Sequence, residues 1–337
     1  MKFDFEKLKE CTNGIEYLEK TENGFIPHRF SLDEERAYKE YRSDYYTKCL
    51  SPASVRIEFK TDAEALFISY NVKESSSRLY FATQVFVNGE YKGGNRNFNS
   101  TEEIQGNPSA KFELGTFGAR VDLGEGEKDV SIVLPFSVIL EITELRLDGA
   151  TYANPIKKSK TLLAYGDSIT HGYDAFYPAN SYINRLGSML DVTVCNKAIG
   201  GEIFFPELLG AENGADPDYV TVAYGTNDHS RGKREKTERD ARLFYKTLRE
   251  KYPRAKIFAI TPIWRWDVDT VKPFGDFHDV EKIIAAAIKD LDDVYLIRGF
   301  DFVPHAPEYF ADLSLHPNDT GFEHYAKNLY EQIVKYL

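Results

Sequence analysis

The chain has 337 residues, of which 42 are Lys or Arg and 53 are Asp or Glu, and it carries a formal net charge of −11. That length is long for one domain and comfortable for two, and that charge argues against nucleic acid, whose phosphates need clustered Lys and Arg. Nothing approaches the roughly 20 consecutive apolar residues of a membrane span, and the N-terminal "MKFDFEKLKE" lacks the apolar core of a signal peptide.

Residues 1–50 are hard to read; "SLDEERAYKEYRSDYY" suits a short helix or an irregular arm. From there the chain reads as β. Ser54–Lys60, Ala65–Val72, Leu79–Val87, Asp129–Pro135 and Val138–Gly149 largely alternate apolar and polar residues, the period of a strand with one buried face. Asn88-Gly89 is a two-residue hairpin signal. Short strands with turn residues between them predict an antiparallel β-sandwich of jelly-roll type over about residues 1–152.

Composition changes at Ala150–Lys160, which reads as a linker. Strands then alternate with helices. Strands are predicted at 161–165, 191–195, 218–225, 255–261 and 294–297, and helices at 177–190, 235–252 and 279–291. A last helix starts near Asp319, with Thr320-Gly-Phe-Glu323 as a capping box. The basic cluster Arg231–Lys236 reads as a solvated helix start. Alternating β and α segments predict a parallel sheet with right-handed crossovers, whose ligands bind beyond the carboxyl ends of the strands.

Four polar clusters fall at that edge: Gly166-Asp167-Ser168, Asn196–Gly201, Gly225–Asp228 and Asp312–Asp319. Ser168 alone would read as a turn residue or a helix cap. Together the clusters contain what acyl transfer needs: a hydroxyl, a base in His316, a carboxylate to orient that base, and donors for an oxyanion. Candidate donors are the backbone N–H of Ser168, the N–H of a glycine in "IGG", and the side-chain amide of Asn227. The G-x-S-x-G nucleophile elbow is absent around Ser168. His171, just past Ser168, suits either the pocket or an exposed loop. Both tryptophans, Trp264 and Trp266, lie after the strand at 255–261 and suit either a substrate wall or core packing. The three cysteines, Cys11, Cys49 and Cys195, have no CxxC spacing, so neither a disulfide framework nor a zinc site is expected, and the expected compartment is the cytoplasm.

These blocks resemble those of the SGNH/GDSL hydrolases. "GDSIT" is similar to the first block, "GTND" to the third and "DLSLHPND" to the last, and the resemblance covers about residues 158–337. It implies a flavodoxin-like three-layer α/β/α domain, Ser168 as nucleophile, His316 as base, and Ser168, Gly201 and Asn227 as the oxyanion hole. Family members carry Asp-x-x-His, whereas this chain has Asp312-Leu-Ser-Leu-His316, one residue longer. Either a bulge brings Asp312 to the imidazole, or a backbone carbonyl orients His316 in a Ser–His dyad. A β-sandwich ahead of such a domain is similar to the layout of certain acetyl-carbohydrate esterases. That implies hydrolysis of an O-acetyl ester on a small molecule or oligosaccharide, with no metal or organic cofactor and no nucleic-acid or membrane partner. An acyltransferase, a short-chain lipid or thioester hydrolase, and a carbohydrate-binding protein with an inactive site are the alternatives.

Overall fold

A computed structural model describes all 337 residues. Its second half holds one five-stranded sheet, which we label β1 (Thr161–Gly166), β2 (Thr193–Asn196), β3 (Tyr219–Ala223), β4 (Lys256–Ile260) and β5 (Val294–Ile297). The spatial order is β2-β1-β3-β4-β5 and every pairing is parallel. This is the flavodoxin-like order. Side chains along each strand alternate between two cores. Leu163, Val220, Val222, Ile257 and Ala259 pack towards helices Arg234–Lys251 and Asp279–Ile288. Leu162, Ala164, Phe258 and Ile260 pack towards Tyr182–Leu190 and Asp319–Ile333. Both faces are covered, which is why the strands read as near-continuous apolar runs.

The first half forms two antiparallel sheets. One runs in the order Thr12–Asn13, Arg56–Thr61, Lys128–Val133, Gln84–Val87, Glu90–Gly93, with Ala153–Pro155 beside Arg56–Thr61. The other runs Tyr17–Lys20, Phe25–His28, Val138–Asp148, Ala65–Glu74, Gly115–Asp122. Ile57, Phe59, Val85 and Ile132 from one sheet meet Leu66, Ile68, Leu140 and Leu145 from the other in a shared core, the arrangement of a β-sandwich. Asn88 and Gly89 both have positive φ, 50° and 84°, as a two-residue hairpin turn requires.

Three local readings are corrected. The predicted strand Leu79–Val87 is regular only over Gln84–Val87, because the Asn97 side chain satisfies Phe81 N–H and Leu79 C=O in place of a neighbouring strand. The helix predicted from 177 starts at Tyr182, after a short 3₁₀ turn at Pro178–Asn180. The last helix is capped by Asn318 rather than by a Thr320–Glu323 box: the Asn318 Oδ1 accepts the N–H groups of Thr320 and Gly321, and Glu323 pairs with Lys327 instead.

The arm is helical at Leu32–Tyr41 and Ser43–Cys49, and it packs on the α/β sheet rather than on the sandwich. Phe30, Tyr38, Tyr45 and Cys49 join the core beside the helix at 234–251. Arg29 is fully buried and donates to the carbonyls of Ser51, Asn196 and Ala198. A buried guanidinium is tolerable when its donors are satisfied; here it ties the arm to the loop after β2.

Candidate active site

All four polar clusters lie at the carboxyl ends of β1, β2 and β3 and in the loop before the last helix. At the end of β1, Asp167 caps a one-turn helix by accepting the Ile169 N–H at 3.0 Å, which leaves Ser168 as the first helical residue. Its backbone N–H is one of the donors that a helix start cannot satisfy internally. Burial pushes the Asp167 carboxyl up to about 6, and its contact to backbone supports a structural role.

Ser168 Oγ lies 2.8 Å from His316 Nε2, and His316 Nδ1 lies 2.7 Å from Asp312 Oδ2. The one-residue excess between Asp312 and His316 is absorbed at Leu313, which adopts φ 61° and points out to solvent. A left-handed leucine costs about 1–2 kcal/mol. Three bonds offset it: Asp312 Oδ1 accepts the N–H groups of Ser314, Leu315 and His316 at 3.0, 2.7 and 3.0 Å. Burial would raise the Asp312 carboxyl, but the His316 imidazole and these N–H groups hold it well below the usual carboxylate range. For His316, burial lowers basicity, and the carboxylates of Asp174 and Asp312 overcome it, so its pKa lies above that of a free histidine.

The two glycines after β2 are not equivalent. The Gly200 N–H donates to His171 Nδ1 at 3.2 Å, and a Cβ at Gly200 would stand 2.6 Å from the Tyr173 ring. Gly201 has φ 87°, a region that favours glycine, and its N–H makes no hydrogen bond within the chain. Only Gly201 therefore has a donor to offer. Asn227 sits on the one-and-a-half-turn helix after β3 and donates one side-chain N–H to the Glu202 carbonyl at 3.1 Å. A carboxamide has two N–H donors, so this bond fixes the amide beside Gly201 and leaves the second free. Asn227→Ala is expected to lower kcat by about 10²- to 10³-fold, with little change in KM, the usual cost of losing one oxyanion donor. Steady-state kinetics on p-nitrophenyl acetate checks it, and an unchanged kcat removes Asn227 from the site.

His171 does not line a pocket, nor is it exposed. It is 1% exposed, with Nε2 within 2.9 Å of Ser51 Oγ and 3.0 Å of Phe136 O, and Nδ1 accepting from Gly200. Burial drives its pKa well down, so the ring is neutral. It braces the glycine loop from behind, from its place as the last residue of the short helix that Ser168 begins. The tryptophans divide. Trp264 is half-buried, stacked on His305 at 5.2 Å and packed on Phe310. Trp266 is 63% exposed, and its backbone N–H donates to Ser314 O, which places the residue beside the His316 loop.

Two charged residues that the motifs did not single out also reach the site. Asp174 is fully buried, with Oδ2 3.4 Å from His316 Nδ1, and it is held by Arg78 from the sandwich. Asp174 is six residues past Ser168 and could have been found by proximity; no local signal marks Arg78. The sandwich also braces the His316 loop, through Gly106 N–H to Ala311 O at 2.6 Å and Gln105 Nε2 to Phe310 O at 2.8 Å. Asp174, Asp312 and His316 bring potential metal-ligand atoms within 4.8 Å of one another. Those atoms already hold one another, Arg78 and backbone N–H groups, so no vacant ligand set remains in this cluster.

Residues 164–324 match the model of the GDSL-like lipase/acylhydrolase family. No curated protein sequence matches the chain. Among solved structures, a salicylyl-acyltransferase from a tetracycline biosynthetic pathway is similar at 18% identity and a TM-score of 0.78, covering 97% of this chain and 95% of that one. An acetyl xylan esterase from the rumen bacterium Butyrivibrio proteoclasticus is similar at 13% identity and a TM-score of 0.64, covering 99% and 98%. A family two carbohydrate esterase from Clostridium thermocellum, solved with cellohexaose, is similar at 17% identity and a TM-score of 0.60, covering 83% and 91%. At such identities the likeness is one of fold, and it extends over both halves of the chain. No helix is long and apolar enough to cross a membrane. With the family model running from β1 through the His316 loop into the last helix, the chain carries an SGNH/GDSL lipase–acylhydrolase domain, at residues 164–324, and belongs by that domain to the carboxylic ester hydrolases.

Proposed function

We propose that the protein is a serine esterase that removes short acyl groups, acetyl foremost, from a carbohydrate. We read it as a β-sandwich over residues 1–152 joined to the hydrolase domain over 158–337. The observation that carries the proposal is the relay from Ser168 Oγ through His316 to Asp312, at 2.8 and 2.7 Å. In this reading His316 Nε2 takes the Ser168 proton as Oγ attacks the ester carbonyl, and Asp312 holds the ring in the tautomer that leaves Nε2 free to accept. The Ser168 and Gly201 N–H groups and the Asn227 amide receive the oxyanion. The imidazolium then protonates the leaving alcohol, and water, deprotonated by the same nitrogen, releases the acid from Ser168.

The carbohydrate is supported by the esterases of similar fold, one an acetyl xylan esterase and one bound to cellohexaose, and by the exposed ring of Trp266 beside the catalytic loop, a surface suited to a sugar face. A second reading has its own support: the salicylyl-acyltransferase matches 97% of the chain at a TM-score of 0.78. A panel of p-nitrophenyl esters from acetyl to octanoyl, run beside acetylated xylo- and cello-oligosaccharides, separates the two. The esterase reading expects kcat/KM to fall with chain length and acetate to be released from the oligosaccharides. Acyl transfer to added alcohols in preference to water, or a preference for octanoyl, overturns it.

A further inference from the structure

The motifs account for one carboxylate at His316, yet two face it. Asp174 Oδ2 lies 3.4 Å from Nδ1, the same nitrogen that Asp312 reaches at 2.7 Å. Asp174 is 0% exposed and held at φ 72°, a conformation that costs about 1–3 kcal/mol and persists only where surrounding contacts enforce it. Those contacts come from the other half of the chain. Arg78, in the sandwich, donates from Nε to Asp174 Oδ1 at 2.6 Å and from Nη2 to Oδ2 at 2.9 Å, a bidentate pair. Its remaining nitrogen is held by Ser109 and Ser77.

We propose that Asp174 is a positioning residue for the reaction: a second carboxylate on His316 Nδ1 that stabilises the imidazolium, held in place by Arg78 from the β-sandwich half. The proposal rests on His316 serving as the base for Ser168. Two carboxylates and one guanidinium meet at the imidazole, so a single unbalanced negative charge faces it until His316 becomes protonated. The two carboxylates differ in reach. The Asp312 side chain is 19% exposed and partly screened by water, whereas Asp174 has no solvent contact and its charge acts through a medium of low dielectric. The other groups facing His316 do not replace it: Ser168 is neutral, the Tyr173 ring lies 6.1 Å away, and Asp167 is turned into the serine turn.

The test is the pH dependence of kcat/KM on p-nitrophenyl acetate for the wild type, Asp174→Asn and Arg78→Met. The base must be neutral to act, so the acid limb follows the His316 pKa. Asp174→Asn removes a charge that favours the imidazolium; the limb moves to lower pH by about one unit and the plateau kcat falls roughly 10-fold at unchanged KM. Arg78→Met leaves Asp174 unopposed, and the limb moves to higher pH. A residue that only held the fold together would lower activity without shifting the limb, and could not shift it in opposite directions. Limbs that coincide with the wild type overturn the proposal. If thermal melting shows that either single variant does not fold, the double variant Arg78→Met/Asp174→Asn, which leaves no buried charge unpaired, is measured; its limb moves down, and an unmoved or raised limb overturns the proposal equally. Labelling with a fluorophosphonate separates the two levels. Wild-type protein that takes no label sinks the Ser168–His316 reading and this proposal with it, whereas normal labelling with coincident limbs sinks the role of Asp174 alone.

Discussion

Ser168→Ala is expected to lower kcat on p-nitrophenyl acetate by about 10⁵- to 10⁶-fold, the scale seen when a triad nucleophile is removed. The reason is geometric. The acceptor nitrogen of His316 is 2.8 Å from Ser168 Oγ, so without the hydroxyl the base has no proton to remove and the oxyanion donors have no tetrahedral adduct to hold. The fold is expected to survive. Asp167, not Ser168, caps the short helix through its bond to Ile169 N–H, and the one side-chain hydrogen bond lost with the hydroxyl is that to His316 Nε2. Intact-protein mass after exposure to a fluorophosphonate gives the independent check: one adduct on the wild type, none on the variant, and matching melting curves. Equal labelling of both proteins would place the reactive hydroxyl elsewhere.

Asp312→Asn is expected to lower kcat by about 10³- to 10⁴-fold, as tautomer reversal does in a triad. The carboxylate does two things at once. Oδ1 accepts three backbone N–H groups, and Oδ2 accepts the proton on His316 Nδ1. An asparagine can keep the first set only with its carbonyl oxygen, which turns its NH₂ towards Nδ1. That forces Nδ1 to accept and puts the ring proton on Nε2, where the base must be free. KM should change little, because both Asp312 oxygens are engaged by the loop backbone and by His316 Nδ1, on the side of the ring away from Ser168. The loop keeps its shape, so a normal melting temperature with lost turnover is the expected pair of results. Near-normal turnover would instead mean that Asp312 is dispensable and that Asp174, 3.4 Å from His316 Nδ1, orients the ring.

How much of this was legible depends on how locally each feature is encoded. The five parallel strands were readable because burial on both faces makes each a short apolar run, and the four loops followed because a parallel sheet delivers every loop to the same edge. The hairpin at Asn88-Gly89 was readable because few residue pairs accept two positive φ angles. The strands Tyr17–Lys20, Phe25–His28 and Gly115–Asp122 were not, since two are very short and the third lies at a sheet edge, carries two glycines and shows only one buried residue. The choice between Gly200 and Gly201 needed contacts as well as a motif: His171 occupies one N–H and leaves the other free.

The sequence by itself determined the class of the second half and the short list of residues at its edge, because strand periodicity and motif spacing are properties of neighbouring residues. It left His316 with two possible orienters. Only the tertiary structure decided what lies across the chain from that edge. Leu313 takes a left-handed turn that lets Asp312 reach the imidazole. The arm of residues 32–49 covers the α/β sheet instead of the sandwich. Arg78 comes from 96 residues away to hold Asp174 under His316. Such pairings are set by which surfaces meet when two cores close, and no window of neighbouring residues contains them.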